Sequence, residues 1–316
     1  MKRIYNLSQA AEFLKENDNF IILTHVYPDG DTLGSAYALC GMLQQMGKNA
    51  AVKINGELGS EFLYLRNGIE KQSFEFDKII SVDVADSNLL GELKIYADRV
   101  DLAIDHHIYH REFADIYYVD GDAAANCEII YKLGEELGIS FTKNICNAVY
   151  TGICTDTGCF KYTNVTPETH IIAADLMKKG CDAAFINREM FEKAPRSKKE
   201  LEAFVICNME YYKNGEIAFA YVTTDILEKF GVNINQLGSI SAVPRTIEGV
   251  KVGVTLKQEN EKSFKISLRT NDGINAAEIC SKFGGGGHKA AAGCTLLGSK
   301  EDVRDRLIDV ISGYLD

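Results

Sequence analysis

The segment Thr24–Gly34 brings one histidine and two aspartates into a short stretch that also contains a proline and two glycines. One glycine separates Asp29 from Asp31, so a tight turn would direct both carboxylates towards one point. His25 follows an apolar run and would reach the same point. An imidazole with two carboxylates suits manganese, zinc or iron better than calcium. The alternative is an ordinary strand-turn-helix corner, in which Asp31 or Thr32 caps a helix.

Similar polar clusters follow other apolar stretches of the chain. Asp83 follows residues 78–82, the triplet Asp105-His106-His107 follows residues 101–104, and Asp156 follows residues 144–155. A single aspartate at such a place is usually a cap. Two divalent ions, however, need a bridging carboxylate and several further ligands. The sequence offers eight candidates for that task, namely His25, Asp29, Asp31, Asp83, Asp105, His106, His107 and Asp156.

Periodic patterns predict the elements that position these residues. Apolar spacing predicts helices at 4–17, from Gly34 to Met46, at 124–137, at 144–155 and from Thr166 onwards. Apolar runs predict strands at 20–24, 50–54, 78–82 and 101–104. Strands that alternate with helices favour a parallel sheet covered on both faces by helices. Because the carboxyl ends of parallel strands meet at one edge, we expect the candidates to meet there.

The pattern changes past residue 190. The charged segment 191–210 predicts a linking helix. Alternating apolar and polar residues then predict strands at 217–223, 250–257 and 263–269, with a polar turn at 258–262. A helix is predicted after them, at 276–283. We therefore expect a catalytic domain at 1–190, a linker at 191–210 and a smaller α/β domain at 211–316.

Composition limits the possible functions. The chain has 316 residues, enough for two domains, and a formal charge of -11, which argues against a general nucleic-acid coat protein. No apolar run approaches the ~20 residues of a membrane span. The nine cysteines, without a C-x-x-C pair, are typical of reduced thiols. These features favour a cytoplasmic protein with no signal peptide and no membrane association.

A second candidate site lies near the end of the chain. Four consecutive glycines, Gly284–Gly287, precede His288, and their backbone N–H groups would allow close approach to a phosphate. Between Arg245 and Gly293, eight Lys or Arg residues stand against five Asp or Glu residues. We expect Arg269 to grip a substrate phosphate with two parallel hydrogen bonds. The alternative is that Arg269 pairs with Asp272.

The order of these motifs resembles the DHH phosphoesterase superfamily. The shared pattern is His-x3-Asp-x-Asp from His25, then Val82-Asp83, then Asp105-His106-His107, then Thr155-Asp156-Thr157-Gly158. The glycine run with His288, followed by Ala290-Ala291-Ala292-Gly293, resembles the DHH-associated C-terminal domain. The resemblance covers nearly the whole chain. It implies an α/β protein with a parallel-sheet N-terminal DHH domain, joined by a helical linker to a smaller α/β substrate-binding domain.

The resemblance also implies roles for the matching positions. Two divalent ions, usually manganese, would share Asp83. One ion would bind His25, Asp29 and Asp83, and the other would bind Asp31, Asp83, His107 and Asp156. His106 would lie beside the reacting phosphate as a catalytic group, either stabilising the transition state or donating a proton, and Asp105 would orient a ligand histidine. Substrate would contact Arg269, Gly285, Gly286, Gly287 and His288.

Within the superfamily, the two-domain build is similar to bacterial nano-RNases that also dephosphorylate 3′-phosphoadenosine 5′-phosphate (pAp). The expected substrates are short oligoribonucleotides, linear dinucleotides and pAp. The alternatives are a signalling phosphodiesterase for cyclic or linear dinucleotides and a non-catalytic nucleotide-binding module. The sequence departs from the family pattern at Leu89, near which relatives often have an arginine. This departure leaves open which length of oligoribonucleotide the protein prefers. Whether the chain forms a homodimer is also left open.

Overall fold

The structure, a computed structural model, describes residues 2–3, 6–233, 237–271 and 273–315. It divides into two compact units, Met1–Lys193 and Ala194–Asp316. The helix Arg196–Cys207, inside the predicted linker, belongs to the second unit and buries Leu201 and Val205 in its core. A linking role for residues 191–210 stays a prediction.

The first unit is built on a parallel sheet. Its strands are β1 (Lys2–Arg3), β2 (Phe20–Leu23), β3 (Ala50–Lys53), β4 (Lys78–Val82), β5 (Leu102–Asp105) and β6 (Ile116–Val119). All of their pairings are parallel, and the order across the sheet is β1-β6-β5-β4-β2-β3. The α-helices are α1 (Leu7–Glu16), α2 (Gly30–Gln45), α3 (Asn126–Leu137), α4 (Lys143–Asp156), α5 (Pro167–Lys178) and α6 (Ala183–Asn187). Short 3-10 segments span Ser60–Arg66 and Ser87–Arg99, and a π-helical turn spans Arg188–Glu192.

The apolar runs of the strands explain why both faces of this sheet are covered. Ile22 and Ile80 pack into the core formed with the α-helices, whereas Ile21 and Ile79 pack on the other face. On that second face the cover includes the 3-10 segment Ser87–Arg99, which supplies the buried side chains of Leu90 and Leu93. The expected parallel sheet is confirmed, with 3-10 turns helping to cover one face.

The second unit contains a mixed sheet. Its strands are β7 (Glu210–Tyr212), β8 (Ile217–Val222), β9 (Val252–Asn260), β10 (Ser263–Thr270), β11 (Gly286–His288) and β12 (Ala291–Leu297). The order is β11-β12-β10-β9-β8-β7, with β8 and β9 parallel and the other pairs antiparallel. Its helices are α7 (Arg196–Cys207), α8 (Thr224–Phe230), a 3-10 segment (Gly238–Thr246), α9 (Ala276–Ser281) and α10 (Lys300–Ser312).

Two sequence predictions about element bounds are wrong in ways that matter for the sites. Helix α2 begins at Gly30, about one turn before the predicted Gly34, because Asp29 caps it. Strand β9 continues through Asn260, so the predicted polar turn at 258–262 is shorter than expected. Among the described residues, none of the helices is both long and apolar enough to cross a membrane.

Candidate metal centre

Three neighbouring strands of the parallel sheet end in polar residues at the same edge. His25 lies two residues past β2, Asp83 directly follows β4, and Asp105 is the last residue of β5. These strands are adjacent in the sheet, in the order β5-β4-β2. The parallel arrangement therefore brings the three chain segments together, as the sequence predicts.

The amino end of α2 adds two carboxylates to this edge. Asp29 is the N-cap residue, and its Oδ1 accepts hydrogen bonds from the backbone N–H groups of Asp31 and Thr32, at 3.0 and 3.2 Å. The hydroxyl of Thr32 donates to the carbonyl of Val82 at 3.0 Å and ties this turn to the end of β4. Asp31 thus lies inside the helix and is fully buried, whereas a turn residue was expected.

The opposite wall of the site comes from helix ends. Asp156 is the last residue of α4. Helix α3 begins after Ala125, which offers no side-chain acceptor, and the backbone N–H groups of Asn126 and Cys127 donate instead to the carboxylate of Asp31, at 2.6 and 2.9 Å. The positive end of the helix dipole therefore helps to hold the buried Asp31 carboxylate in place.

The polar side chains form overlapping groups of possible metal ligands. In each group the ligand atoms all lie within 4.8 Å of one another, and the groups are His25 with Asp29 and Asp83, Asp31 with His106 and Asp156, and Asp83 with His106 and His107. The two oxygens of Asp83 face different histidines, with Oδ2 at 3.7 Å from His25 Nε2 and Oδ1 at 3.5 Å from His106 Nε2. Asp83 therefore lies between two parts of the cluster.

The two adjacent histidines differ from the sequence expectation. His106, and not His107, lies in the group with Asp31 and Asp156, with Nε2 at 3.8 and 3.9 Å from their carboxylates. Nδ1 of His106 lies 3.1 Å from the carbonyl of Ala123 and donates to it, so Nε2 is the ring nitrogen directed at the carboxylates. The Nδ1 atom of His107 is instead 2.7 Å from Asp105 Oδ1.

Burial and mutual repulsion raise the pKa values of three carboxyl groups in this cluster. Burial, followed by the charges of Asp31 and Asp29, raises the pKa of Asp83 well above its usual range. Burial and Asp31 raise the pKa of Asp156 to about 7, and burial also raises the pKa of Asp31. For Asp29, burial is outweighed by the combined effect of His25 and the backbone N–H groups of Thr32 and Asp31, and its pKa is lowered. Carboxylates packed in this way need positive charge beside them.

The residues present fit divalent cations. Nε2 of His25 and Nε2 of His106 lie 3.5 to 3.9 Å from the carboxylate oxygens of the cluster, which is too far for hydrogen bonds. Two ligand atoms that each lie about 2.1 Å from one ion are separated by a similar distance, about 3 to 4 Å. In addition, Asp83 Oδ1 is buried and has no hydrogen-bond partner among the described residues. A shared cation would satisfy this oxygen and offset the carboxylate charge.

Sequence reasoning missed a third histidine beside Asp105. His110 Nδ1 lies 2.7 Å from Asp105 Oδ2, and the hydrogen bonds from His107 and His110 outweigh burial and lower the pKa of Asp105. The only signal in the sequence is the spacing of His110 within the Asp105–His110 segment. The backbone donors of Asn126 and Cys127 were also missed, since a backbone contact across 95 residues leaves no motif.

Comparison with known proteins identifies the family of this chain. A family model described as "DHH family, N-terminal domain" matches residues 19–153, and a model described as "DHHA1 domain" matches residues 214–316. A Thermus thermophilus protein named bifunctional oligoribonuclease and PAP phosphatase NrnA is 31% identical over 320 residues, covering 96% of this chain and 95% of that protein. The chain belongs to the DHH family.

Other similar proteins also match along most of their length. A Streptococcus mutans protein named probable bifunctional oligoribonuclease and PAP phosphatase NrnA is 28% identical over 302 residues, covering 94% of this chain and 96% of that protein. The crystal structure of an exopolyphosphatase-related protein from Bacteroides fragilis has a TM-score of 0.86 at 24% identity, with 98% and 96% coverage. That structure supports the fold of both units.

The DHHA1 domain holds the second set of sequence candidates. Arg269 on β10 is opposite Ala291 on β12, which is opposite His288 on β11. Residues directly opposite one another point to the same face of a sheet, so Arg269 and His288 share a face with only an alanine between them. The glycine run is partly an edge strand, since Gly286 and Gly287 belong to β11.

Close packing explains two of these glycines. A Cβ at Gly285 would lie 2.2 Å from the carbonyl oxygen of Gly293, and a Cβ at Gly287 would lie 2.6 Å from that of Ala291. Gly287 also has a φ of +146°, which favours glycine. Asp272, the alternative partner predicted for Arg269, lies outside the described residues.

Proposed function

We propose that this chain is a metal-dependent phosphoesterase that hydrolyses short oligoribonucleotides and pAp. The observation that carries the proposal is the carboxylate–histidine cluster centred on Asp83, at the ligand-binding edge of the DHH domain. Relatives that match over nearly the whole chain are named oligoribonucleases and PAP phosphatases, which supports the choice of substrates.

Two divalent ions would be held by the groups around Asp83. We assign one ion to His25, Asp29 and Asp83, and the other to Asp31, Asp83, His106 and Asp156. When bound, the ions would lower the pKa of a coordinated water and offset negative charge on the phosphoryl oxygens. We propose manganese, because the site mixes imidazole with carboxylate ligands and suits a borderline ion.

His107 is the side chain proposed to act on the leaving group. Asp105 accepts the Nδ1 proton of His107 at 2.7 Å, so Nε2 is the ring atom free to face the substrate. The imidazole is 42% exposed, and the hydrogen bond to Asp105 raises the pKa of His107. A proton on Nε2 could therefore be transferred to the sugar oxygen as its bond to phosphorus breaks.

Arg269 and His288 are proposed to bind a substrate phosphate. Their shared face of the sheet also carries Lys257 and Lys265, which are opposite each other. Burial lowers the pKa of Lys257, and the positive charges of Lys265 and Arg269 lower it further. These cations repel one another, and a bound phosphate would relieve that repulsion. Gly253, opposite Arg269 on β9, packs closely against the backbone of Pro244 and Arg245, so the 3-10 segment Gly238–Thr246 borders the same face.

A hydrolysis panel with the Mn²⁺-loaded protein tests the proposal. The substrates are pAp, a 5′-phosphorylated dinucleotide, a 24-nucleotide RNA and cyclic dinucleotides. We expect rapid hydrolysis of the first two and slow hydrolysis of the others. A clear preference for cyclic dinucleotides would favour a signalling phosphodiesterase, and binding without hydrolysis of any substrate would favour a non-catalytic module.

A further inference from the structure

The carboxylate of Asp105 is completely buried and has hydrogen-bond donors on both oxygens. Oδ1 accepts from the backbone N–H of His106 at 2.9 Å and from Nδ1 of His107 at 2.7 Å. Oδ2 accepts from Nδ1 of His110 at 2.7 Å. Asp105 therefore links a buried histidine to the exposed His107.

His110 is held almost entirely inside the protein. Its side chain is 4% exposed and stacks on Phe113 and Tyr117, with ring centroids 5.6 and 5.8 Å away. Because a carboxylate only accepts hydrogen bonds, Nδ1 of His110 must carry the proton. Nε2 is buried without a hydrogen-bond partner among the described residues. Within the described part of the chain, the one polar contact of this imidazole is the bond to Asp105.

His107, in contrast, has little around it to fix its orientation. Its side chain is 42% exposed, its ring approaches His106 edge-on at 4.8 Å, and its Nδ1 lies 3.6 Å from Asp83 Oδ1, beyond hydrogen-bond distance. The hydrogen bond to Asp105 Oδ1 is therefore the main constraint on its ring. If Oδ2 of Asp105 lost its donor, the carboxylate could rotate about the Cβ–Cγ bond to satisfy that buried oxygen, and Oδ1 would move away from His107.

We propose that His110 is a positioning residue for the reaction, which holds Asp105 and thereby fixes the ring of His107 towards the substrate. This inference rests on the proposed function of His107. The water oxygen forms a bond to phosphorus and releases a proton to solvent, and the bond from phosphorus to the sugar oxygen breaks. Its electron pair stays on that oxygen, which takes the proton from His107 Nε2, and His107 regains a proton from solvent. His110 takes no part in the bond changes.

Two substitutions separate positioning from packing. His110→Phe keeps an aromatic ring between Phe113 and Tyr117 but removes the donor to Asp105. His110→Asn keeps an amide N–H close to the position of Nδ1 but removes most of the ring. We expect His110→Phe to be the more stable variant and His110→Asn to be the more active one, whereas a packing role would give the same order for stability and activity.

Steady-state kinetics of the Mn²⁺-loaded full chain provide the measurement. We expect His110→Phe to lower kcat for pAp by about 10- to 100-fold, the usual effect of losing a partner behind a reacting residue, with KM changed less than about twofold. Hydrolysis of bis-(p-nitrophenyl) phosphate should change less than about threefold, because nitrophenolate leaves without a proton. His110→Asn should recover much of kcat on pAp, and metal content should equal that of the unsubstituted chain in both variants.

His170→Phe is the matched control, since His170 also stacks on an aromatic ring, that of Phe160, at 5.3 Å. It should leave both activities unchanged. Equal losses on both substrates, a His110→Phe variant as active as the unsubstituted chain, or a folded His110→Asn variant no better than His110→Phe would each overturn the inference. If the unsubstituted chain hydrolyses neither substrate, the proposed function fails instead.

Discussion

Asp83 combines an unusual backbone conformation with the central place in the cluster. Its φ is +58°, in the left-handed region that few residues other than glycine, asparagine and aspartate adopt readily. This conformation directly follows β4 and turns the carboxylate into the site, between His25 and His106. Strained backbone of this kind persists where the surrounding structure holds it, often at functional sites. Asparagine is therefore the substitution that changes the charge with least change to the backbone.

The raised pKa values predict pH-dependent metal binding. Burial and neighbouring carboxylates raise the pKa of Asp83, and they raise that of Asp156 to about 7. A carboxyl group whose pKa is raised by folding stabilises the metal-free fold. This stabilisation is complete below the pKa that the group has in the unfolded chain, near 4, and it is lost as the pH rises through the pKa in the folded chain, about 7 for Asp156. Because an ion replaces these protons, Mn²⁺ should raise Tm by about 3 °C more at pH 8 than at pH 6, measured by thermal unfolding.

Asp156→Asn provides the control for this prediction. The variant lacks one of the titrating carboxylates, so its metal-induced change in Tm should be smaller and should depend less on pH. Equal metal-induced changes at pH 6 and pH 8 in the unsubstituted chain would contradict the assignment of Asp83 and Asp156 as ligands.

Arg269 offers a second prediction at the scale of single residues. If it binds a substrate phosphate, Arg269→Ala should weaken kcat/KM for pAp by about 2 to 3 kcal/mol, the scale of a charged hydrogen bond. Bis-(p-nitrophenyl) phosphate, which lacks a second phosphate, should be hydrolysed at nearly the same rate. Lys262→Ala, in the exposed turn before β10, is the control and should affect neither substrate. Equal losses on both substrates would mean that Arg269 supports the fold.

The structure brings the predicted members of the metal cluster together, and their individual roles stay proposals. Residue types at the ends of strands identify which side chains reach the edge of the sheet. They do not identify which of two adjacent histidines faces the carboxylates, because this depends on contacts with Ala123 and Asp105 that are made only in the folded chain. His110 was missed for the same reason, since its burial depends on Phe113 and Tyr117.

At the scale of elements, close packing of three helices positions the buried carboxylates. Gly152 lies in α4, and a Cβ there would come within 2.2 Å of Cys127 Sγ in α3 and 2.5 Å of Asp31 Oδ1 in α2. A Cβ at Gly30, the first residue of α2, would lie 2.4 Å from the hydroxyl of Thr155, next to Asp156. The distance between Asp31 and Asp156 therefore depends on glycines that let the helices approach.

Gly152→Ala should damage both stability and metal binding. The added methyl group must push α4 away from Asp31 and Cys127, and overpacking of this kind costs about 1 to 3 kcal/mol. We expect a lower denaturant midpoint together with weaker Mn²⁺ binding in a calorimetric titration. Gly41→Ala is the matched control in α2, because its nearest atoms are side-chain carbons of Ile145 and Ile69 at 3.3 Å. Full Mn²⁺ affinity in Gly152→Ala would show that helix spacing does not control the site.

The elements were predictable to different degrees. Strands β2, β4 and β5 were found because continuous apolar runs are typical of buried parallel strands. The start of α2 was misplaced because Gly30 and Asp31 look like turn residues, whereas the cap at Asp29 allows both to be helical. Strand β11 was not predicted because its glycines carry no strand signal, and its partner, β12, was not predicted either.

For the whole molecule, the α/β class of the two parts was predictable, whereas the exact domain bounds stay a prediction. The change of pattern near residue 190 agrees with two compact units that meet at Lys193 and Ala194. The charged surface of α7 suggested a linker, and this role stays a prediction; Leu201 and Val205 of the same helix bury their side chains in the second unit. Charge spread around a helix conceals a short apolar face of this kind.

The most direct test measures pAp hydrolysis by the metal-free and the Mn²⁺-loaded protein, both for the unsubstituted chain and for Asp83→Asn. Metal content is measured on the same samples. We expect no hydrolysis after chelation, recovery with Mn²⁺, and loss of both metal and nearly all activity in Asp83→Asn. Asp86→Asn, three residues away, keeps a capping side chain and should behave like the unsubstituted chain. Full activity in the metal-free protein, or in Asp83→Asn, would contradict a phosphoesterase centred on Asp83.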